Sequence, residues 1–125
     1  MIGLALAAAM LAGAQPDESC GDARTQMDLN LCAGEEYRRA DAELNRTWPV
    51  ALGRVKAIDK DVGGRQAENR LRAAQRAWIA YRDAQCDVAG LEALGGTLEP
   101  MLIESCRTEL TRQRAHELRL LLVER

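Results

Sequence analysis

The residues with the most definite chemistry in this sequence are four cysteines, Cys20, Cys32, Cys86 and Cys106. Thiols can ligate zinc, attack as nucleophiles or pair as disulfides, and their spacing separates these uses. No two of the four have the tight spacing of a zinc knuckle, so no metal site is expected. An even number of cysteines in an exported chain reads instead as two disulfides, with three possible connectivities. The local pairing, Cys20–Cys32 with Cys86–Cys106, is the expected one. Each link would close a short loop and contribute on the order of 3 kcal/mol. The carboxylates suggest a second chemistry, glycoside hydrolysis, which needs two of them facing each other across a cleft. Glu35 and Glu36 are adjacent on a helical stretch and therefore diverge. The sole histidine, His116, sits among Arg114, Glu117 and Arg119, with no Ser or Cys nucleophile in a recognisable arrangement. No catalytic residue and no cofactor is expected.

A third group is polar where the pattern calls for apolar residues. Asp41 falls between Tyr37 and Leu44, with Asn45 one turn further on. Arg82 follows Trp78 by one turn with Gln85 close behind, and Thr111 and Arg114 occupy the last helical stretch. Buried charge is costly unless paired and hydrogen-bonded. These six residues are therefore expected to form an internal structural network, with Asp41 facing Arg82 or Arg114. The competing use is a binding site.

The elements that must position them are helices, since Ala, Leu, Arg, Glu and Gln dominate and β-branched residues are sparse. A first helix is predicted to begin at Thr25, which with Asp28 resembles a capping box. Met27, Leu31, Tyr37, Leu44, Trp48 and Leu52 mark its apolar face. Pro49 should kink or interrupt it, and Gly53 with Gly63-Gly64 frames a variable connection. A second helix is predicted from about Gln66 to Asp87, burying Leu71, Ala74, Trp78, Tyr81 or Arg82, and Gln85. Gly95 to Pro100 reads as a loop. A third helix runs from about Met101 to Val123, with Leu102, Cys106, Leu110, Leu118 and Leu121 on one face. The expected fold is all-α, a small three-helix bundle with long helices stapled by two disulfides.

The chain has 125 residues, enough for one domain. Met1 to Ala14 is almost wholly apolar but too short to cross a bilayer. It ends in Ala12-Gly13-Ala14, which reads as a signal peptide cleaved after Ala14, leaving 15–125 as the helical domain. No Lys or Arg precedes the apolar run, so either the start lies upstream of Met1 or the terminal amine serves instead. Cleavage would leave no lipid-attachment cysteine, so a periplasmic or secreted protein without a membrane anchor is expected. Aromatic residues are limited to Trp48, Trp78, Tyr37 and Tyr81, so a thin aliphatic core gains from cross-links. The net charge is −2, unevenly placed: residues 15–46 carry eight acids against four arginines, and 65–87 carry five arginines against three acids. An acidic surface disfavours nucleic acid and suits a basic partner.

Taken together, the motifs resemble a known family. The segment Cys20-Gly-Asp-Ala-Arg-Thr-Gln-Met-Asp-Leu-Asn-Leu-Cys32, then Tyr37, Asp41 and Leu44-Asn45, is similar to the opening of the lysozyme inhibitor LprI-like domain family. Leu71, Gln75-Arg76-Ala77-Trp78-Ile79, Tyr81-Arg82-Asp83-Ala84-Gln85-Cys86, the Gly95-Gly96-Thr97 loop, Cys106, Leu110-Thr111, Arg114 and Glu117-Leu118 continue the likeness. The resemblance implies an envelope protein that binds another protein, with C-type lysozyme as the implied partner and occlusion of its cleft as the mode of inhibition. Segments 53–64 and 91–100 are the candidate contact loops. Arg54, Lys56 or Lys60 could reach cleft carboxylates, Glu35, Glu36 and Glu43 could steer a basic partner, and Thr97 and Glu99 lie in the second loop. The alternatives are an envelope interaction or stress-response module with a different protein partner, and an enzyme acting on cell-wall material.

Overall fold

The computed structural model describes residues 18–123. The apolar segment Met1 to Ala14, expected to be a cleaved signal, lies outside the described residues. The elements are α1 (Glu18–Gly21), α2 (Gln26–Val62), α3 (Gln66–Ala89), a 3-10 turn (Gly90–Ala93) and α4 (Glu99–Leu120). The fold is all-α, with no strand among the described residues.

The start of α2 is fixed locally. Thr25 Oγ1 accepts from the Asp28 N–H at 3.1 Å, and Asp28 Oδ2 accepts from the N–H groups of Thr25 at 3.4 Å and Arg24 at 3.3 Å. This reciprocal cap satisfies donors that no helical carbonyl can reach. The Arg24 N–H, and next the Thr25 hydroxyl and N–H, hold the Asp28 carboxyl below its usual range.

From there α2 continues for 37 residues, about 55 Å at helical rise. It passes through Pro49, where sequence reasoning expects a kink or an interruption, and through Gly53, where it expects a loop; the helix is not interrupted at either. A mid-helix proline costs about 3 kcal/mol through a lost hydrogen bond and a clash one turn back. Here the helix is held on both sides of it, by Leu44 before and by Ala51 and Val55 after, all in the core, while Pro49 itself is exposed. The expected loop 53–64 thus shrinks to a turn at 63–65. Gly63 (φ 94°) and Gly64 (φ 79°) adopt conformations that side chains resist. The first turn of α3 is capped from across this turn: Asp59 Oδ1 accepts from the Ala67 N–H at 2.8 Å and Oδ2 from the Glu68 N–H at 3.0 Å.

The helices α2 and α4 run parallel. Gln26 meets Met101 at one end and Glu43 meets Arg119 at the other, sequence separations of 75 and 76. In this register α4 ends beside Arg54, which borders a recess with Leu120, Leu121 and Val123. The C-terminal turns of α2 therefore outrun α4 and form a hairpin tip with the start of α3. The core comprises Leu44, Ala51, Val55, Leu71, Ala115 and Leu118, flanked by Trp48, Leu52, Ala67 and Trp78. Two disulfides complete the frame at the opposite end. Cys20–Cys32 joins α1 to α2 (Cα–Cα 5.2 Å) and Cys86–Cys106 joins α3 to α4 (Cα–Cα 5.4 Å).

Several expected core positions are exposed. On α2 these are Met27 and Leu31, because in that turn Gln26 and Asn30 hold the side toward α4. On α3 the inward stripe is narrow, running through Leu71, Gln75, Trp78, Arg82 and Cys86, which leaves Ala74 and Gln85 outside; of the alternatives Tyr81 and Arg82, it is Arg82 that turns inward. Leu121 lies past the end of α4 and is also exposed.

Candidate protein-binding surface

The six polar residues singled out by pattern divide between the helices as follows. Arg82 on α3 is buried and reaches both neighbouring helices. Its Nη1 lies 3.8 Å from Asp41 Oδ1 on α2 and donates to Thr111 Oγ1 on α4 at 3.4 Å, while its Nε donates to Asp83 at 3.0 Å. Asn45 Nδ2 donates to Asp41 Oδ2 at 3.5 Å. Arg114 does not join this group: its Nε donates to Gln75 Oε1 at 2.9 Å and its Nη1 to Glu117 at 3.1 Å. Gln85 faces solvent and belongs to no such group.

Two aromatic rings link these guanidiniums into a ladder. Arg107 stands 5.9 Å from the Tyr37 centroid, Arg82 lies 5.4 Å from Tyr37 and 5.1 Å from Trp78, and Arg114 is 5.9 Å from Trp78. Cation–π contact of this kind is attractive and strongest when water is excluded. Burial raises the Tyr37 phenol above its usual pKa, with the Arg82 charge opposing that shift. The aromatic partners, together with Gln75, Asp83 and Arg107, escaped sequence reasoning. Their signal was the recurrence of 78 and 82, and of 107 and 114, on single helical faces. The ladder joins all three long helices.

The surface that remains open lies at the disulfide end. The segment 90–98 projects between α3 and α4 and is held at three points. Asn30 Nδ2 donates to the Thr97 carbonyl at 2.9 Å, Glu99 Oε2 accepts from the Gly95 N–H at 2.8 Å, and the Gly96 N–H donates to the Ala93 carbonyl at 2.8 Å. Gly90 enters against α4, where a Cβ would lie 2.8 Å from Ile103 Cγ1. A loop so anchored nonetheless exposes Leu91, Leu94 and Leu98, and Leu94 is 70% exposed. Met27, 72% exposed, stands at the same end on α2. Asp22, Asp28, Asp87 and Glu92 are exposed acids of this end of the bundle, and Arg24 is an exposed base there.

The other partner-facing candidates lie elsewhere. Glu35 is paired with Arg38, Glu36 Oε1 lies 3.9 Å from Cys20 Sγ, and Glu43 accepts from Arg119 Nη1 at 2.9 Å. Arg54 borders the recess at the end of α4. Lys56 and Lys60 are exposed on helix α2, not on a loop. Thr97 and Glu99 belong to the anchoring of the 90–98 segment. His116 is exposed on α4.

A family model described as lysozyme inhibitor LprI matches residues 17–118. The chain belongs to the lysozyme inhibitor LprI family. Membership supports a lysozyme-inhibitor-like role in binding protein, in a family of inhibitor domains and not of enzymes, with an extracytoplasmic setting. An uncharacterized protein of Rhizobium meliloti (strain 1021) is 50% identical over 110 residues, covering 84% of this chain and 79% of that protein. No solved structure matches. Among the described residues of this LprI-family chain, no helix is long and apolar enough to cross a membrane.

Proposed function

We propose that this protein is exported, loses Met1 to Ala14, and inhibits a C-type lysozyme by capping its cleft with the disulfide end of the bundle. The observation carrying this reading is the 90–98 segment: exposed leucines on a backbone pinned to α2 and α4, at an end that carries exposed acids. Rigid presentation lowers the entropy lost on association. Apolar anchors at the centre of an interface supply most of the affinity, while rim charges set the rate of encounter. C-type lysozyme is strongly basic, so Asp22, Asp28, Asp87 and Glu92 suit its surface. Glu35, Glu36 and Glu43 lie further along α2 and would add to steering only at longer range. Arg82 and the other network residues act in this scheme by holding the three helices in place.

The test is inhibition of purified C-type lysozyme by the protein in its exported, oxidised form. Dose-dependent inhibition is expected. Leu94→Asp should weaken it about thirtyfold, the equivalent of roughly 2 kcal/mol of apolar burial. Absence of binding by a folded protein would refute the reading and point to a different envelope partner. Inhibition indifferent to Leu94→Asp would move the contact away from this loop.

A further inference from the structure

The opposite end of the molecule has a different chemistry. At the hairpin tip α2 and α3 continue past the end of α4 and turn through Gly63 and Gly64. The acids in this part of the chain are largely turned inward. Asp59 is buried with both carboxylate oxygens on the N–H groups of Ala67 and Glu68. Glu68 is also buried, 2.8 Å from Arg72 Nε and 3.5 Å from Arg65 Nη2. Asp61 is the exposed acid there, against exposed Lys56, Lys60, Arg65 and Arg70. Solvent therefore meets a positive tip on a chain whose net charge is −2.

The apex is also apolar. Val62 is 80% exposed and Ile58 37%, and both line a shallow recess with Ala67 and Arg70.

We propose that this tip docks on an anionic phospholipid surface. A soluble polyanion would be satisfied by the basic residues alone and would gain nothing from aliphatic side chains at the apex. A bilayer interface uses both. Aliphatic groups enter the boundary of the acyl region, while Lys and Arg stems lie along it with their charges among the headgroups. Contact would be peripheral, and the acidic disulfide end would point away from the negative surface. The site is separate from the proposed lysozyme contact, so each can fail without the other.

The experiment is co-sedimentation of the exported, oxidised protein with vesicles of phosphatidylglycerol and phosphatidylcholine, and with phosphatidylcholine alone. Binding is expected only to the anionic vesicles and should weaken as salt rises. Each basic residue at such a surface is worth about a factor of five, so the charge reversal Arg70→Glu should reduce binding roughly twentyfold. Val62→Asp should also reduce it. Both positions are exposed, and thermal unfolding verifies that each variant folds. Arg70→Glu should leave lysozyme inhibition unchanged. The proposal is overturned by no binding to anionic vesicles, by binding that neither substitution alters, or by variants that lose lysozyme binding instead.

Discussion

Replacing Arg82 with methionine tests the view that the arginine–aromatic ladder holds the helices together. Methionine keeps the aliphatic stem, so the change mostly removes the guanidinium. The Arg82 side chain is 9% exposed, whereas those of Asp41 and Asp83 are 42% and 46% exposed. Water can rehydrate both carboxylates, and their ion pairs account for no more than about 1 kcal/mol each. Thr111 differs, because it is fully buried and would lose its Arg82 donor, at a cost of about 1–3 kcal/mol. The contacts with Tyr37 and Trp78 add roughly 1 kcal/mol each. The expected loss is about 3–7 kcal/mol, which for a domain near 100 residues lowers Tm by roughly 15–35 °C. Arg107→Met supplies the comparison, since that side chain is 27% exposed and its contacts with Asp83, at 3.8 Å, and with Tyr37, at 5.9 Å, are long. It should cost about 1 kcal/mol. Thermal unfolding of the oxidised proteins, followed by far-ultraviolet circular dichroism, measures both. If Arg82→Met melts within about 5 °C of the parent, the ladder is not what joins the helices.

Pro49→Ala should raise stability by about 1–3 kcal/mol, because the helix already continues through this exposed position and regains a backbone donor. Chemical denaturation checks the sign, and a loss would mean that the proline shapes α2 in a way the packing requires. Stability should also fall in acid. The hydrogen bond from Arg72 holds the Glu68 carboxyl below its usual range. A carboxylate depressed in the folded state contributes fully above its unfolded pKa, and that contribution disappears as pH falls through the folded value. Melting temperature should therefore decline below about pH 4.5, and Glu68→Gln should decline less steeply over the same range. Equal slopes would show that the Glu68 pairing makes no net contribution.

What was legible in the sequence was what is decided locally. The Thr25–Asp28 cap, the limits of α3 and the pairing of nearby cysteines depend on residues close along the chain. The misreadings have one cause, tertiary packing. Pro49 was expected to kink or interrupt α2 because its local cost is plain, while the Leu44, Ala51 and Val55 contacts that carry the helix through it are made with distant residues. Asp59 carried no sign of its capping role, since its targets, Ala67 and Glu68, lie across a turn that sequence reasoning drew as part of a long loop. Ala74 and Gln85 were placed by periodicity alone, which cannot say how wide a stripe the neighbouring helices will cover.

The uneven charge along the chain gains its meaning only from topology. Because α2 and α3 form a hairpin, the acid-rich residues before 46 lie toward the disulfide end. Arg65, Arg70 and Arg72 are carried to the tip, and Arg82, further along α3, is turned inward. Burial of Asp59 and Glu68 then turns two of the balancing carboxylates away from solvent, so the side chains exposed at the tip are mostly basic. A modest difference in composition becomes a molecule with a negative, apolar-edged end beside its disulfides and a positive, apolar-tipped end beyond its core. Partners of opposite charge can therefore be engaged at the two ends without competing for the same residues.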